Sequence, residues 1–281
     1  MNVEIRELKE NYARFILSDA NPQLANALRR TLLADVPKLA IQTVEFHLGP
    51  IMGEDGKEYE SAAPLFDEII AHRLSMIPLP TYLDELNFRN ECTCKGEGCP
   101  NCTVMYSINK KGPGMVYSGD MEPLGSEKYR VKDEFIPIVK LAPNQAMLIY
   151  ATAELGTGKE HAKFQAVQAP AYKYYPEINF DYKKLDVSSF DVNCCPVHIL
   201  EKRQGKIVVT DVEKCTLCRA CEDAAPKGAV EVRGDETKFI FQFETDLSLT
   251  AAQALLKAAE ILEKKSKELV QALSVSFEIS A

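Results

Sequence analysis

Nine cysteines in two tight groups constrain this chain more than any other feature. Cys92, Cys94, Cys99 and Cys102 form one group and Cys194, Cys195, Cys215, Cys218 and Cys221 the other, with none elsewhere. In a reducing compartment, thiols clustered at short spacings bind metal more often than they form disulfides, whereas scattered ones serve as small core residues. Two metal sites are the first expectation.

Cys215-x2-Cys218-x2-Cys221 has the spacing that wraps three corners of a cubane cluster in bacterial-type ferredoxins. The fourth ligand of such a motif is a Cys followed by Pro, and where two motifs occur each lends that ligand to the other's cluster. Cys195-Pro196 ends a first motif whose other ligand positions, counted back, hold Leu185, Ser188 and Asp191, none of which replaces a thiolate. The second motif should end in Cys-Pro where Ala225-Pro226 stands. The two losses agree: Ala225 would have served the cluster whose other ligands are missing, and Cys195 serves the one whose three ligands remain. Cys195, Cys215, Cys218 and Cys221 therefore make a full set for one [4Fe-4S] cluster, with zinc as the alternative occupant. Cys194 is left over, as a small thiol, a substitute for Cys195, or a disulfide former once a cluster is lost to oxygen.

The other group reads Cys92-x-Cys94-x4-Cys99-Pro100-Asn101-Cys102, with Gly96 and Gly98 available for tight turns. C-P-x-C is a metal knuckle whose backbone amides point at sulfur, and four close thiolates suit tetrahedral zinc. A second iron-sulfur cluster and unmetallated thiols or disulfides stay open. A closed four-thiolate shell leaves no coordination position for catalysis.

Charge and composition narrow the function classes. Thirty-three Lys and Arg against forty-one Asp and Glu give a net charge of -8, which argues against direct binding of a nucleic-acid backbone. With 46% hydrophobic and 26% charged residues the chain reads as an ordinary globular protein, and 281 residues at ~150 per domain suggest roughly two domains. The charged segment MNVEIRELKENYARF does not read as a signal peptide, and no run approaches the ~18 apolar residues of a membrane span, so a cytoplasmic address is expected. Gly156-Thr157-Gly158-Lys159 invites a phosphate-loop reading but lacks the glycine spacing and the following Ser or Thr. No G-x-S-x-G or H-E-x-x-H occurs, and His47, His72, His161 and His198 are widely separated, as surface or capping residues would be. The isolated chain is expected to be non-catalytic.

Alternation around Val3 and Ile5 and again over 14–17 predicts two strands turning at Glu10-Asn11. A helix follows, capped by Asp19 or Asn21, with Pro22 in its first turn and apolar residues at Leu24, Ala25, Leu28, Leu32 and Leu33 until Pro37. A shorter helix spans 65–74, and residues 170–176, bounded by prolines, look like a crossing into another unit. A strong strand covers 238–244, with Phe239, Phe241 and Phe243 on one face. One long helix over 250–273 starts at a Thr250-x-x-Gln253 capping box, and Val275, Phe277 and Ile279 close the chain as a short strand. That helix carries a seam of Leu255, Ala258, Leu262, Leu269 and Leu273, wider and longer than one small sheet should cover, so part of it is expected to meet another chain. A helix packed wholly within its own domain is the alternative. The economical arrangement joins both ends of the sequence in one α+β domain with everything between inserted.

At this point the sequence resembles a known family. N-A-L-R-R-T-L-L-A-D-V-P-K-L-A-I from Asn26, D-E-I-I-A-H-R-L-S-M-I-P-L over 67–79, L-G-T-G-K-E-H-A-K-F-Q over 155–165 and the strand and long helix after Phe239 are similar to the assembly-platform subunits of cellular DNA-directed RNA polymerases, in the archaeal, D-type form with a ferredoxin-like insertion. The resemblance implies a split RNA polymerase alpha-like dimerisation domain of residues 1–45 and 236–281, an inserted mixed β domain of 46–170 carrying the four-cysteine loop, and an inserted ferredoxin-like iron-sulfur domain of 171–235. It implies pairing with the smaller subunit L through Leu255, Leu262, Leu269 and Leu273. Arg29 and Arg30 would face the large catalytic subunits or, on their sequence alone, serve as a solvated helix face. His72, Arg73 and the 156–161 loop become further docking candidates, and other small polymerase subunits further partners. Catalytic carboxylates lie on the largest subunit in this family, so nucleotidyl transfer would belong to the complex. A ferredoxin-type electron-transfer module is the rival reading; it would need a second redox centre or a partner that supplies one.

Overall fold

The computed structural model describes residues 1–52, 56–61 and 63–279, with side chains as far as Val275. The chain opens with β1 (Asn2–Leu8) and β2 (Tyr12–Ser18), and α1 (Pro22–Ala34) follows. Asn21 caps α1, its Oδ1 accepting from the Leu24 amide at 2.8 Å, while Asp19 stands at φ 52° and takes no part. β3 (Pro37–Phe46), β4 (Pro50–Met52), β5 (Glu58–Glu60) and α2 (Asp67–Ser75) lead to the first cysteine group. After it come β6 (Thr103–Lys111), β7 (Gly114–Tyr117), β8 (Glu122–Pro123), β9 (Pro137–Leu141), β10 (Ala146–Thr157) and β11 (Val167–Phe180). The second group lies among β12 (Leu200–Arg203), β13 (Lys206–Val209) and the single turn α3 (Ala220–Asp223), and the chain ends with β14 (Val230–Thr245) and α4 (Ala251–Ile279). The fold is mixed α+β, and its strand pairings of known direction, β10 with β3 and β6 among them, are antiparallel.

Two compact units divide the chain. One comprises Met1–Glu7, Arg14–Arg29 and Ala171–Gln242; the other comprises Leu8–Ala13, Arg30–Pro170 and Phe243 onward. The first is built on the sheet β1-β2-β14-β11, with Phe15 stacked on Phe241 at 5.2 Å and Tyr172 edge-on to Phe239 at 5.7 Å. A separate core surrounds the second cysteine group and includes Leu185, Phe190, Ile199, Leu200, Ile207 and Val232. The second unit is built on the sheet β3-β10-β6-β8, where β10 is central and β6 pairs with it from Ala146↔Lys111 to Glu154↔Thr103. α2 buries Ile70 and Leu74 in this unit's core, beside Leu39, Tyr106 and Ile149.

Two sequence expectations are corrected and one is borne out. The residues expected to close the chain as a strand, Val275, Phe277 and Ile279, belong instead to α4, which runs unbroken to Ile279; the good helix formers before them propagate the helix at little cost once it is nucleated. The crossing expected over 170–176 is borne out, the unit boundary falling at Pro170, and β11 runs across it as one strand through Pro170 and Pro176. β11 ends the strand order, where a residue without an N–H costs no interior ladder bond. β14 begins at Val230 rather than Lys238, its amino half being too polar to alternate visibly.

Candidate metal centres and docking surface

The first cysteine group occupies a loop between α2 and β6 that Asn87 closes by donating to the Asn101 carbonyl at 2.8 Å. Lys95, Gly96 and Gly98 all take positive φ, at 55°, 87° and 99°, and turn the chain so that Cys94 faces the knuckle. Within the knuckle the Cys102 and Thr103 amides donate to the Cys99 carbonyl, and the Cys99 amide points at Cys102 Sγ at 3.3 Å. All four sulfurs lie within 4.8 Å of one another, with separations of 3.5 Å for Cys92 and Cys99, 3.6 Å for Cys94 and Cys102, and 3.8 Å for Cys99 and Cys102. A tetrahedron of thiolates ~2.3 Å from one ion has edges of about 3.8 Å. The geometry fits a single four-coordinate ion.

The four thiols of the loop differ in their electrostatic surroundings. A hydrogen bond from the Gly98 amide pulls the Cys94 thiol down to about 6, while burial pushes Cys102 up to about 12. One of the four crowded thiols ionises more readily than usual and the buried one resists.

The second group converges in the first unit. Cys195, Cys215 and Cys221 are buried in its satellite core, Cys194 is half-buried and Cys218 is exposed. Between the ligand positions Leu217 and Arg219 adopt φ 57° and 62°, and the Leu217 amide donates to Cys215 Sγ at 3.4 Å. Burial, then the proximity of Cys194 and Cys215, pushes Cys221 up to about 11. Cys194 is raised by burial and then by the proximity of Asp191, Cys195 and Cys218. Among the described residues only the first group brings every ligand atom within 4.8 Å.

The positions from which ligands are missing carry other work. Leu185 lies in the satellite core, and Ala225 packs against it. Ser188 donates to Asp186, and Asp191 caps a turn by accepting from the Asn193 amide at 2.9 Å.

Around the second group sits a set of ion pairs that sequence reading missed. Arg6 Nε and Arg14 Nη2 reach the Glu213 carboxylate at 2.6 and 3.1 Å, and Lys173 Nζ donates to the carbonyls of Glu213 and Cys215 at 2.6 and 2.8 Å. Beside the first group, Arg89 joins Glu154 to two loop carbonyls. These partners lie far apart in the chain and form no motif.

The expected docking residues are distributed as follows. Arg29 is half-buried and held on Asn26 Oδ1 at 2.9 and 3.1 Å, while Arg30 is exposed. Leu255 and Leu262 of α4 are half-buried, and Leu269 and Leu273 are 61% and 47% exposed. His72 is exposed, and Arg73 donates to the Ile138 carbonyl at 2.5 Å. In the 156–161 loop a Cβ on Gly156 would run into the Phe164 ring and one on Gly158 into the Leu33 carbonyl, so close packing accounts for both glycines. His161 Nδ1 accepts from the Lys163 amide and caps a turn. Among the described residues no helix is long and apolar enough to cross a membrane.

Comparison with known proteins gives one consistent result. Residues 52–173 match the RNA polymerase Rpb3/RpoA insert domain. The chain is 44% identical over 272 residues to the DNA-directed RNA polymerase subunit Rpo3 of Picrophilus torridus, covering 97% of this chain and 99% of that one. It is 44% identical over 274 residues to the Rpo3 of Thermoplasma volcanium, covering 98% and 100%, and 37% identical over 267 residues to that of Archaeoglobus fulgidus, covering 95% and 96%. With identities of 37–44% along nearly the whole length, the chain belongs to the Rpo3 family of archaeal DNA-directed RNA polymerase subunits.

Proposed function

We propose that this chain is the non-catalytic assembly platform of its polymerase. A discontinuous domain of residues 1–45 and 236–281 pairs with the smaller subunit L, and Arg29 and Arg30 dock the large catalytic subunits. The observation that carries this reading is α4. From Glu263 to Val275 every side chain is exposed, Leu269, Val270 and Leu273 among them. An apolar stripe on a helix that projects past its own core is stable when another chain covers it. Leu255 and Leu262 carry the stripe back toward the buried Ala251, Ala254 and Ala258. The net charge of -8 suits a subunit that organises DNA-handling chains without touching DNA.

The two cysteine groups act as braces. Cys92, Cys94, Cys99 and Cys102 hold a structural zinc in the 46–170 insertion, in keeping with edges near those of one tetrahedral ion. Cys195, Cys215, Cys218 and Cys221 hold one [4Fe-4S] cluster in a ferredoxin-like insertion of 171–235. When bound, each group supplies folding free energy to a segment with a small apolar core. The chain's own residues supply the thiolates, the amides that point at them and the ion pairs that anchor each loop.

Recovery of the tagged chain under anaerobic conditions tests the reading. Copurification with an L-like subunit and the large subunits, with zinc and a paramagnetic iron-sulfur signal on reduction, is the expected result. Recovery alone, with reversible cluster-dependent electron transfer, would instead make it a ferredoxin-type module.

A further inference from the structure

The two halves of the four-cysteine loop are anchored to the same place. The knuckle half is held by Thr103, the first residue of β6, whose amide and hydroxyl both donate to the Cys99 carbonyl, at 2.9 and 3.1 Å. Thr103 stands opposite Glu154 in the β6–β10 register. The other half is held by Arg89, whose Nη1 reaches Glu154 Oε2 at 3.2 Å while its Nε donates to the Gly96 carbonyl at 2.9 Å and its Nη2 approaches the Glu97 carbonyl at 3.4 Å.

The planarity of the peptide gives this contact a direction. In a trans peptide the C=O of Glu97 and the N–H of Gly98 point opposite ways. A guanidinium that draws the Glu97 oxygen toward itself therefore aims the Gly98 hydrogen away and fixes the orientation of the peptide between Glu97 and Gly98. A Cβ on Gly98 would lie 3.7 Å from Arg89 Nη2, so the turn and the guanidinium are in close register.

We infer that Arg89, seated on Glu154, is a positioning residue for the four-thiol centre: it fixes the 96–98 turn so that Cys94 is presented to the metal in line with the knuckle cysteines. The inference rests on the reading of these thiols as a metal centre. Its partner requirement is planar and multivalent: one side chain serves two carbonyls and a carboxylate at once, which a lysine ammonium does not reproduce.

The test uses the full chain loaded with cobalt(II), whose absorption reports a four-thiolate shell, and follows cobalt release to excess EDTA. Arg89→Met should bind one ion per chain but release it about 10- to 100-fold faster than wild type, as expected for the loss of an outer-shell partner. Arg89→Lys and Glu154→Gln should fall between the two. The unfolding midpoint of the metal-free chain should be the same in all four proteins, whereas a merely structural role would lower it in the variants. Equal release rates in wild type and Arg89→Met would overturn the role of Arg89 and leave the metal centre standing. A wild-type chain that takes up no cobalt would overturn both.

Discussion

Lys38 Nζ and Asp246 Oδ2 form an ion pair whose side chains are only 4% and 6% exposed. Lys38 lies at the start of β3, and Asp246 lies in the connection from β14 to α4, where it also accepts from the Ser248 amide at 3.1 Å. Two further bonds run parallel to the pair: the Leu39 amide donates to Thr81 Oγ1 at 3.0 Å, and the Thr81 amide to the Ser248 carbonyl at 2.9 Å. Together they fix where α4 begins relative to the sheet of its unit. Removing one partner leaves a buried charge uncompensated, so Asp246→Ala should cost about 3–5 kcal/mol. Urea unfolding measures it, and Lys38→Met combined with Asp246→Leu should cost clearly less than either single change. Additive losses in the double variant would show that the two charges do not act as a pair.

Glu213 ties the loop of the second cysteine group to the sheet of the first unit, since Arg6 of β1 and Arg14 of β2 both end on its carboxylate. Cys218, exposed and three residues beyond Cys215, has no such support. Cys218→Ser should lower iron content and loosen residues 177–235 while leaving pairing with subunit L intact. Glu213→Ala should leave all four thiols in place but raise amide exchange over 212–218 on the order of tenfold, because the charge-assisted bonds holding that segment are gone. Hydrogen exchange with iron analysis separates the two effects. Loss of the heterodimer in Cys218→Ser would show that the cluster supports the pairing surface as well as its own loop.

How much of the molecule is legible in its sequence depends on the distance over which each feature is encoded. Short-range signals read well: the Thr250-x-x-Gln253 box forms both of its bonds, at 3.0 and 3.2 Å, and Asn21 caps α1. The Cys92 to Cys102 spacing likewise produces four convergent sulfurs. The end of α4 misleads because Val275, Phe277 and Ile279 satisfy strand alternation locally, while the helix preceding them decides their conformation. The Arg6–Glu213 and Arg89–Glu154 pairs have no sequence signature, being charged residues in ordinary positions that only the folded chain brings together. Sequence therefore yields the ligands, and folding yields what positions them.

Asp235 supplies an acid-sensitive contribution to stability. Its Oδ1 accepts from Thr237 Oγ1 at 2.7 Å and from the Thr237 amide at 2.8 Å, and these bonds hold the carboxyl below its ordinary range. The unfolded chain, with an ordinary Asp value of ~3.9, binds the proton first, so the contribution is complete above that pH and is lost as pH falls through the depressed folded value. In unfolding free energy measured across roughly pH 2–6, Thr237→Ala should flatten the acid limb and leave the neutral-pH slope alone. An unchanged acid limb would assign the acid sensitivity to other carboxylates.

The exposed half of α4 gives the sharpest separation of folding from assembly. Leu269 and Leu273 are 61% and 47% exposed, so a charge at either place buries nothing in the isolated chain, and Leu269→Glu or Leu273→Glu should change its stability by no more than about 0.5 kcal/mol. In the heterodimer the same charge would be desolvated at the centre of an apolar contact, where truncations of central anchors cost about 2 kcal/mol or more. Pairing with subunit L should therefore weaken at least ~30-fold in either variant, as read by sedimentation or titration calorimetry. Ala258 serves as the internal control: it is fully buried, so Ala258→Glu should unfold its own unit and lose pairing only as a consequence. Normal pairing in Leu269→Glu together with Leu273→Glu would mean that the stripe is covered by something other than subunit L. If Arg30 docks the large subunits as proposed, Arg30→Glu, on the exposed face of α1, should spare the heterodimer and reduce recovery of the large subunits.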